Sequence, residues 1–294
     1  MKQDTEAIFK AGQIAQQVRA YVHTIVKPGV SLLELAENIE AKIIALGGQP
    51  AFPVNLSIDE VAAHSTPTYN DTSVAKGLLK VDFGVQIEGW VADTAESFNL
   101  DNNPLHQHLI DTAKEALVQA TTKLTPSISL GSIGKKIKET AVKAGFQPIH
   151  NLSGHSINQY DLHSGLTIPN YDTGQTRPIG ETLCAIEPFI TSGVGHVREG
   201  RPSTIFSLAK QANVRDPLAR EVLAYIIEHY ATLPFCTRWL HTQFGTRVLL
   251  ALQRLQHAGI IHHYPQLIEE SGAPVAQAEH TILITKEKTT ITTA

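Results

Sequence analysis

The sequence is poor in cysteine, aromatic residues and charge. Two cysteines, Cys184 and Cys236, stand among 294 residues. They cannot build a disulfide framework, and they fit a reducing compartment. Charged residues make up 18% and aromatic residues 6%. No apolar run approaches the roughly 18 residues of a membrane helix, so neither a span nor a membrane partner is expected. No long basic run is present and the formal net charge is −4, so nucleic-acid reading is not expected. Met1 to Lys10 lacks the apolar stretch of a secretory signal, and a cytoplasmic protein is expected. Hydrophobic residues reach 42%, which at this length excludes a disordered chain and allows a sizeable core. The one surplus is histidine, with 14 copies, and it directs attention to metal or acid–base chemistry.

Apolar residues then reveal helices, and the helices reveal a duplication. Ile8, Ala11, Ala15, Val18 and Val22 recur at spacings of three and four, one face of a helix that Lys27-Pro28-Gly29 ends. Ser31 with Glu34 forms a capping box ahead of Leu32, Leu35, Ile39, Ile43 and Leu46, and Gly47-Gly48 stops that helix. The pattern returns 98 positions later. Pro28, Ser31, Leu32, Gly47, Gln49 and Pro50 pair with Pro126, Ser129, Leu130, Gly145, Gln147 and Pro148. Ala11, Ala15, Val18 and Val22 pair with Leu109, Ala113, Ala116 and Ala120, and Asn55-Leu56-Ser57 recurs as Asn151-Leu152-Ser153. The chain reads as an internal repeat, each half two helices followed by β structure. Strands are expected at Leu79 to Val85 and Trp90 to Phe98 around Glu88-Gly89, then at Thr182 to Phe189, Ser203 to Leu208 and Val275 to Thr285. Between about 205 and 267 the character turns helical, with helices at Asp216 to His229 and Thr246 to His257 joined by a loop holding Pro234 and Trp239. This stretch has no counterpart in the first half and reads as an insert on a duplicated α/β core.

Acidic residues inside apolar strands carry the chemistry, because a buried carboxylate is costly unless paired or bound to metal. Asp82 lies between Val81 and Phe83, and Asp93 lies in Val91-Ala92-Asp93-Thr94. A turn at Ile87-Glu88 would set 82 directly opposite 93, two like charges that need a cation between them. Two aspartates on a solvated sheet face would give the same pattern. Glu187 and Glu279 each interrupt an apolar strand of the half that lacks those aspartates, and His155 follows Gly154. One imidazole with four carboxylates suits Mn, Fe or Co better than a closed structural zinc, and a pair of ions would use all five donors. His64 and His163 stand 99 apart, near the repeat offset, so a pseudo-twofold would bring them to opposite sides of one site. A plain loop histidine remains an alternative for His64. His106, His108, His229, His257, His262 and His263 are expected on the surface.

At these residues the sequence resembles the type 2 methionine aminopeptidases. The resemblance rests on Ala51-Phe52-Pro53-Val54-Asn55-Leu56-Ser57-Ile58 with Ala63-His64, on Asp82-Phe83-Gly84 and on Ala92-Asp93-Thr94-Ala95. It continues through Asn151-Leu152-Ser153-Gly154-His155-Ser156-Ile157, Ala185-Ile186-Glu187-Pro188-Phe189 and Gln277-Ala278-Glu279-His280-Thr281. These motifs are long, ordered and spread over residues 4 to 290. The resemblance implies an α+β "pita-bread" (creatinase/aminopeptidase) fold, one catalytic domain over 1–294 with pseudo-twofold halves at about 1–103 and 104–294. The helical insert at about 205–267 marks type 2, and the lack of a long charged N-terminal extension looks like the short archaeal form.

The resemblance also implies roles. Asp82, Asp93, His155, Glu187 and Glu279 match the five ligands of two divalent ions (Co, Mn, Fe or Zn). Asp93 and Glu279 would bridge them; His155 and Glu187 would complete one site and Asp82 the other. Glu187 matches the general base. His64 matches the histidine at the scissile amide nitrogen, and His163 the one that stabilises the tetrahedral intermediate. Phe52, Leu162 and Tyr264 match the methionine pocket. The implied reaction is removal of the initiator methionine from nascent proteins when the second residue is small, by a water activated between the metals. Implied partners are N-terminal Met-peptides, with transient contact to the ribosome; a monomer is expected, since no apolar stripe is left over. Three other readings compete: an Xaa-Pro hydrolase, which typically carries a separate N-terminal domain; a dead relative serving as an RNA- or ribosome-binding module, which predicts lost ligands and basic tails; and a structural metal site. Cys184, close to Glu187, is expected to be buried and inert.

Overall fold

The computed structural model describes residues 2–294, with side chains from Asp4 onward; Met1, at the start of the segment expected to carry no secretory signal, lies outside the described residues. Helix α1 (Lys2–Ile25) buries Ile8, Ala11, Ala15, Val18 and Val22, the stripe its spacing predicts. Helix α2 (Leu32–Ala45) starts where Ser31 Oγ accepts the Glu34 N–H at 3.3 Å. After β1 (Gln49–Pro50), β2 (Asn55–Ile58) and β3 (Val61–Ala63), the long hairpin β4 (Leu78–Ile87) and β5 (Trp90–Asn99) closes the first half. The second half repeats the plan: α3 (Pro104–Thr121), α4 (Leu130–Lys143), β6 (Gln147–Pro148), β7 (Ser153–Ile157), β8 (Thr167–Pro169), β9 (Thr182–Ile186) and β10 (Phe189–Thr191). The caps repeat as well. Ser129 Oγ accepts from Ser132 N–H at 3.3 Å, and Gly47 and Gly145 follow their helices at φ 85° and 84°, a left-handed turn that costs glycine little.

The insert follows strand β11 (Val197–Leu208): α5 (Pro217–Tyr230), β12 (Phe235–Cys236), α6 (Thr237–Phe244), α7 (Val248–His257) and β13 (Ile261–Glu269). The chain closes with β14 (Val275–Gln277), β15 (Glu279–Ile284) and β16 (Thr289–Ile291). The nine-stranded sheet runs β1-β4-β5-β15-β9-β7-β8, with β2 beside β4 and β16 beside β15. Helices α1 and α2 pack Ala11, Val18, Leu35, Ile39 and Ile43 against Leu56, Val81, Phe83 and Val85. Helices α3 and α4 pack Leu109, Ala113, Ile133 and Ile137 against Ile186, Ala276 and Ile282. Burying each large aliphatic side chain is worth roughly 1.5–3 kcal/mol. The insert has its own cluster, with Phe206, Val222, Ile226, Phe235, Leu240, Leu252 and Leu255.

Several expectations shift by small amounts with large consequences. The hairpin turns at Glu88 and Gly89, φ 52° and 83°, a geometry that wants glycine second. Asp82 therefore pairs with Ala95 and Asp93 with Gly84; the two aspartates are diagonal neighbours on one face, not directly opposite. Strand 182–189 breaks at Glu187-Pro188, and strand 275–285 breaks at Ala278. The stretch 205–267 is not helical throughout: β12 and β13 pair with β11 in a separate sheet that also takes β3. Trp239 lies in α6 rather than in a loop. Among the histidines expected on the surface, His106 is buried with Nδ1 3.0 Å from Asp101, and His262 and His263 belong to β13.

The repeat has a register. Strand β1 pairs Pro50 with Val85 as β6 pairs Pro148 with Ile190, so the outer strands repeat at 98 and the inner strands at 190 − 85 = 105. On that register Asp82 corresponds to Glu187, and Asn55 to Ser153. The shared Asn-Leu-Ser triplet is thus two residues out of structural step. Glu279 pairs directly with Ala95, so the pseudo-dyad passes between β5 and β15.

Candidate active site

The side chains singled out above converge on one cavity of about 350 Å³. Its floor is acidic. Asp82 comes from β4, Asp93 from β5, His155 from β7 and Glu279 from β15, while Glu187 sits at the kink after β9, where Pro188 ends the strand. Asp93, His155 and Glu279 each offer a ligand atom, all within 4.8 Å of one another. His155 Nε2 stands 3.7 Å from Asp93 Oδ2 and 3.7 Å from Glu187 Oε1. Its Nδ1 faces the Ser156 carbonyl at 3.4 Å, an acceptor that keeps the proton there and leaves Nε2 bare.

Four carboxylates share this space without a lysine or arginine to neutralise them among their described ion pairs. Burial pushes the Asp82 carboxyl up to about 7. Burial first, then neighbouring carboxylates, raises Asp93, Glu187 and Glu279 well above the ordinary range. Burial, then His163, holds His155 down to about 3. Among the described residues, Asp82 Oδ1, Asp93 Oδ1 and Glu279 Oε1 are buried with no hydrogen-bond partner. Orphaned oxygens converging beside a bare imidazole nitrogen are a donor set for a hard or borderline divalent cation, and the residues fit one.

Sequence reasoning missed the groups that hold this floor in place. Gln277 Nε2 reaches Asp82 Oδ2 at 3.4 Å and Glu279 Oε2 at 3.3 Å. Thr281 Oγ1 accepts the Asp93 N–H at 2.7 Å and donates to the Asp93 carbonyl at 2.8 Å, which extends the β5·β15 join past its last backbone pair. Lys80 is fully buried, and its Nζ donates to the carbonyls of Asp59 and Val275 at 2.9 and 2.7 Å. Alternation along the strand could have flagged Gln277, which shares a face with Glu279; the other two carry no local signal.

The walls are different in kind. His64 follows β3 at φ 61°, with Nδ1 3.1 Å from the Pro265 carbonyl; burial lowers its pKa to about 4. The ring is therefore neutral, with its proton on Nδ1 and an acceptor at Nε2. His163 belongs to the loop between β7 and β8, and its ring meets that of His155 edge-on at 4.4 Å. Phe52, Leu162 and Tyr264 line the apolar side. Phe52 lies over Gly84, where an added Cβ would come within 2.4 Å of the ring, so the glycine opposite Asp93 makes room for it. The Tyr264 ring packs edge-on to His64 at 5.4 Å. The cavity is also lined by Asn55, Ile205, Pro234 and Leu267, none of which carried a site role in the sequence reading. Cys184 is buried, and burial raises its thiol to about 12.

Comparison with known proteins agrees with this geometry. The model of metallopeptidase family M24 matches residues 6–286. A methionine aminopeptidase of Pyrococcus horikoshii is 44% identical over 295 residues, covering 99% of each chain. Among solved structures, a thermophilic Arx1 superposes with a TM-score of 0.83 at 17% identity, covering 98% of this chain and 90% of its own. A methionine aminopeptidase of Thermotoga maritima superposes with a TM-score of 0.73 at 21% identity, covering 100% and 97%. The two structural likenesses concern the fold, the duplicated pita-bread architecture.

Proposed function

The chain belongs to metallopeptidase family M24, and from that premise we propose that it removes the N-terminal methionine from peptides whose second residue is small. The observation that carries this reading is a single cavity that joins an acidic, metal-fitting floor to two histidines, both held below the ordinary imidazole pKa by burial, and an apolar wall. Asp82, Asp93, His155, Glu187 and Glu279 would hold two divalent ions, drawn from Co, Mn, Fe or Zn. Such ions supply Lewis acidity toward a carbonyl and make water acidic enough to attack at neutral pH.

The chain's own groups do the rest. Glu187, at the mouth of the floor, takes a proton from the attacking water and passes it to the leaving amine. His64 Nε2 accepts the scissile amide N–H and fixes the plane of the bond. His163, in the loop between β7 and β8, donates to the carbonyl oxygen as negative charge develops. Phe52, Leu162 and Tyr264 enclose the thioether side chain, whose polarisable sulfur favours ring edges. A cavity of about 350 Å³ is near the small end for ligand sites, which suits a dipeptide end better than an extended chain.

Within this reading the chain is one catalytic domain with halves at about 1–103 and 104–294 and an insert at about 205–267. It acts as a monomer on nascent chains in the cytoplasm, in transient contact with the ribosome. Among the described residues no helix is long and apolar enough to cross a membrane. The test is release of methionine from Met-Ala-Ser with and without added Mn or Co. Turnover with metal is expected; none under any metal sinks the enzyme reading. Cleavage of Leu-Ala-Ser at an equal rate sinks the methionine pocket.

A further inference from the structure

The insert grips the first half through one buried ion pair. Arg238, at the start of α6, sends Nη1 to Glu40 Oε2 at 2.7 Å and Nη2 to Glu40 Oε1 at 2.8 Å, a two-pronged fork onto α2. Trp239 Nε1 donates to the same carboxylate at 2.8 Å, and so does the Val54 N–H at 3.2 Å. Arg238 and Glu40 are 4% and 6% exposed. A buried ion pair seldom stabilises a fold better than apolar filling would, so what it orients matters more than its strength.

It orients the chain on both sides of the pocket. Val54, held by Glu40, lies between Phe52 and Asn55, which line the cavity. Arg238 Nε donates to the Pro67 carbonyl at 3.2 Å, three residues after His64. Between them, Thr66 Oγ1 donates to the Val54 carbonyl at 2.8 Å, and the Leu56 N–H donates to the Ser65 carbonyl at 2.6 Å. On the near side of His64, Ala63 pairs with Leu267. His64 itself sits at φ 61°, a left-handed backbone that a residue with a Cβ adopts at a cost and keeps only when its flanks are pinned.

We propose that Arg238 is a positioning residue: with Glu40 it pins the chain beyond His64 and so fixes the imidazole over the bond to be cut. The inference rests on the role given to His64 above.

Arg238→Lys tests it, because lysine keeps a cation for Glu40 but cannot also span to Pro67. We expect normal circular dichroism and metal content, with kcat/KM on Met-Ala-Ser down by about 10- to 100-fold, mostly in kcat. The decisive measurement is a double-mutant cycle with His64→Ala. In the His64→Ala background the lysine variant should lose less than about threefold. Equal losses in both backgrounds, or an unimpaired Arg238→Lys beside an impaired His64→Ala, overturn the positioning role alone. An unimpaired His64→Ala overturns the role of His64, and this inference with it. Should Arg238→Lys fail to fold, the pair Glu40→Gln with Arg238→Met removes both charges together and enters the same cycle.

Discussion

The two halves share a plan and divide the labour. Helices α2 and α4 occupy equivalent positions with equivalent serine caps. Yet Glu40 of α2 is buried under Arg238, while its counterpart at +98, Lys138, is only partly buried and takes part in no described ion pair. The inner strands diverge in the same way. Asp82 has an acidic counterpart in Glu187, but Asp93 corresponds to Gln277, and Glu279 corresponds to Ala95. The frame is therefore symmetric and the floor is not. An amide now stands where symmetry would put a fifth carboxylate, and it hydrogen-bonds two of the four that remain. Symmetry supplies the convergence of strands; asymmetry limits the carboxylates on the floor to four.

Substitutions at paired positions measure that division. Glu279→Ala should have the largest effect, a loss of activity beyond the roughly 100-fold typical of outer-layer partners, with reduced metal content by elemental analysis. Arg238→Ala, which orphans the buried Glu40 carboxylate, should cost about 3–5 kcal/mol in urea unfolding. Gln277→Ala should lower metal affinity about 10- to 100-fold in a competition titration, although it removes no ligand. Unchanged affinity would break the argument from asymmetry.

Metal removal should act through pH. The Asp82 carboxyl titrates near 7 in the fold against 3.8 when unfolded, so its contribution to stability is full below 3.8 and lost as pH rises through about 7. His64 and His155 act oppositely, but only as pH falls below 6.5. Lys80, held down to about 7 by burial, also opposes the trend, yet it does so with or without ions. The gap in Tm between metal-loaded and chelated protein should thus widen as pH rises from about 6.5 through about 7, by scanning calorimetry. A constant gap would mean that the carboxylates are not the ion's ligands. Lys138→Ala should do least, within about 0.5 kcal/mol, although it occupies the position equivalent to Glu40.

What the sequence made legible was local. Helix starts and stops were readable because Ser31, Ser129, Gly47 and Gly145 cap within three residues of the groups they satisfy. The strand-borne acids stood out because carboxylates are rare in apolar runs. The hairpin register needed only that Gly89 be recognised as the second turn residue. Strand β13 was hidden because His262, His263 and Pro265 disguise its alternation, and its partner β11 lies some 60 residues upstream. Arg238 was hidden for the same reason, since its carboxylate partner is 198 residues away; Gln277 was half hidden, with Glu279 two residues along but Asp82 195 away.

The place of β15 has a consequence for how the molecule comes into being. This strand fills the slot between β5 and β9, and Glu279 meets a partner made 279 − 95 = 184 residues earlier. The helix pairs and hairpins before it can form early, since they close short loops. The floor of the cavity cannot exist until that strand arrives. A chain made only as far as β14 is therefore a scaffold without its acidic floor, and β15 completes that floor in one step.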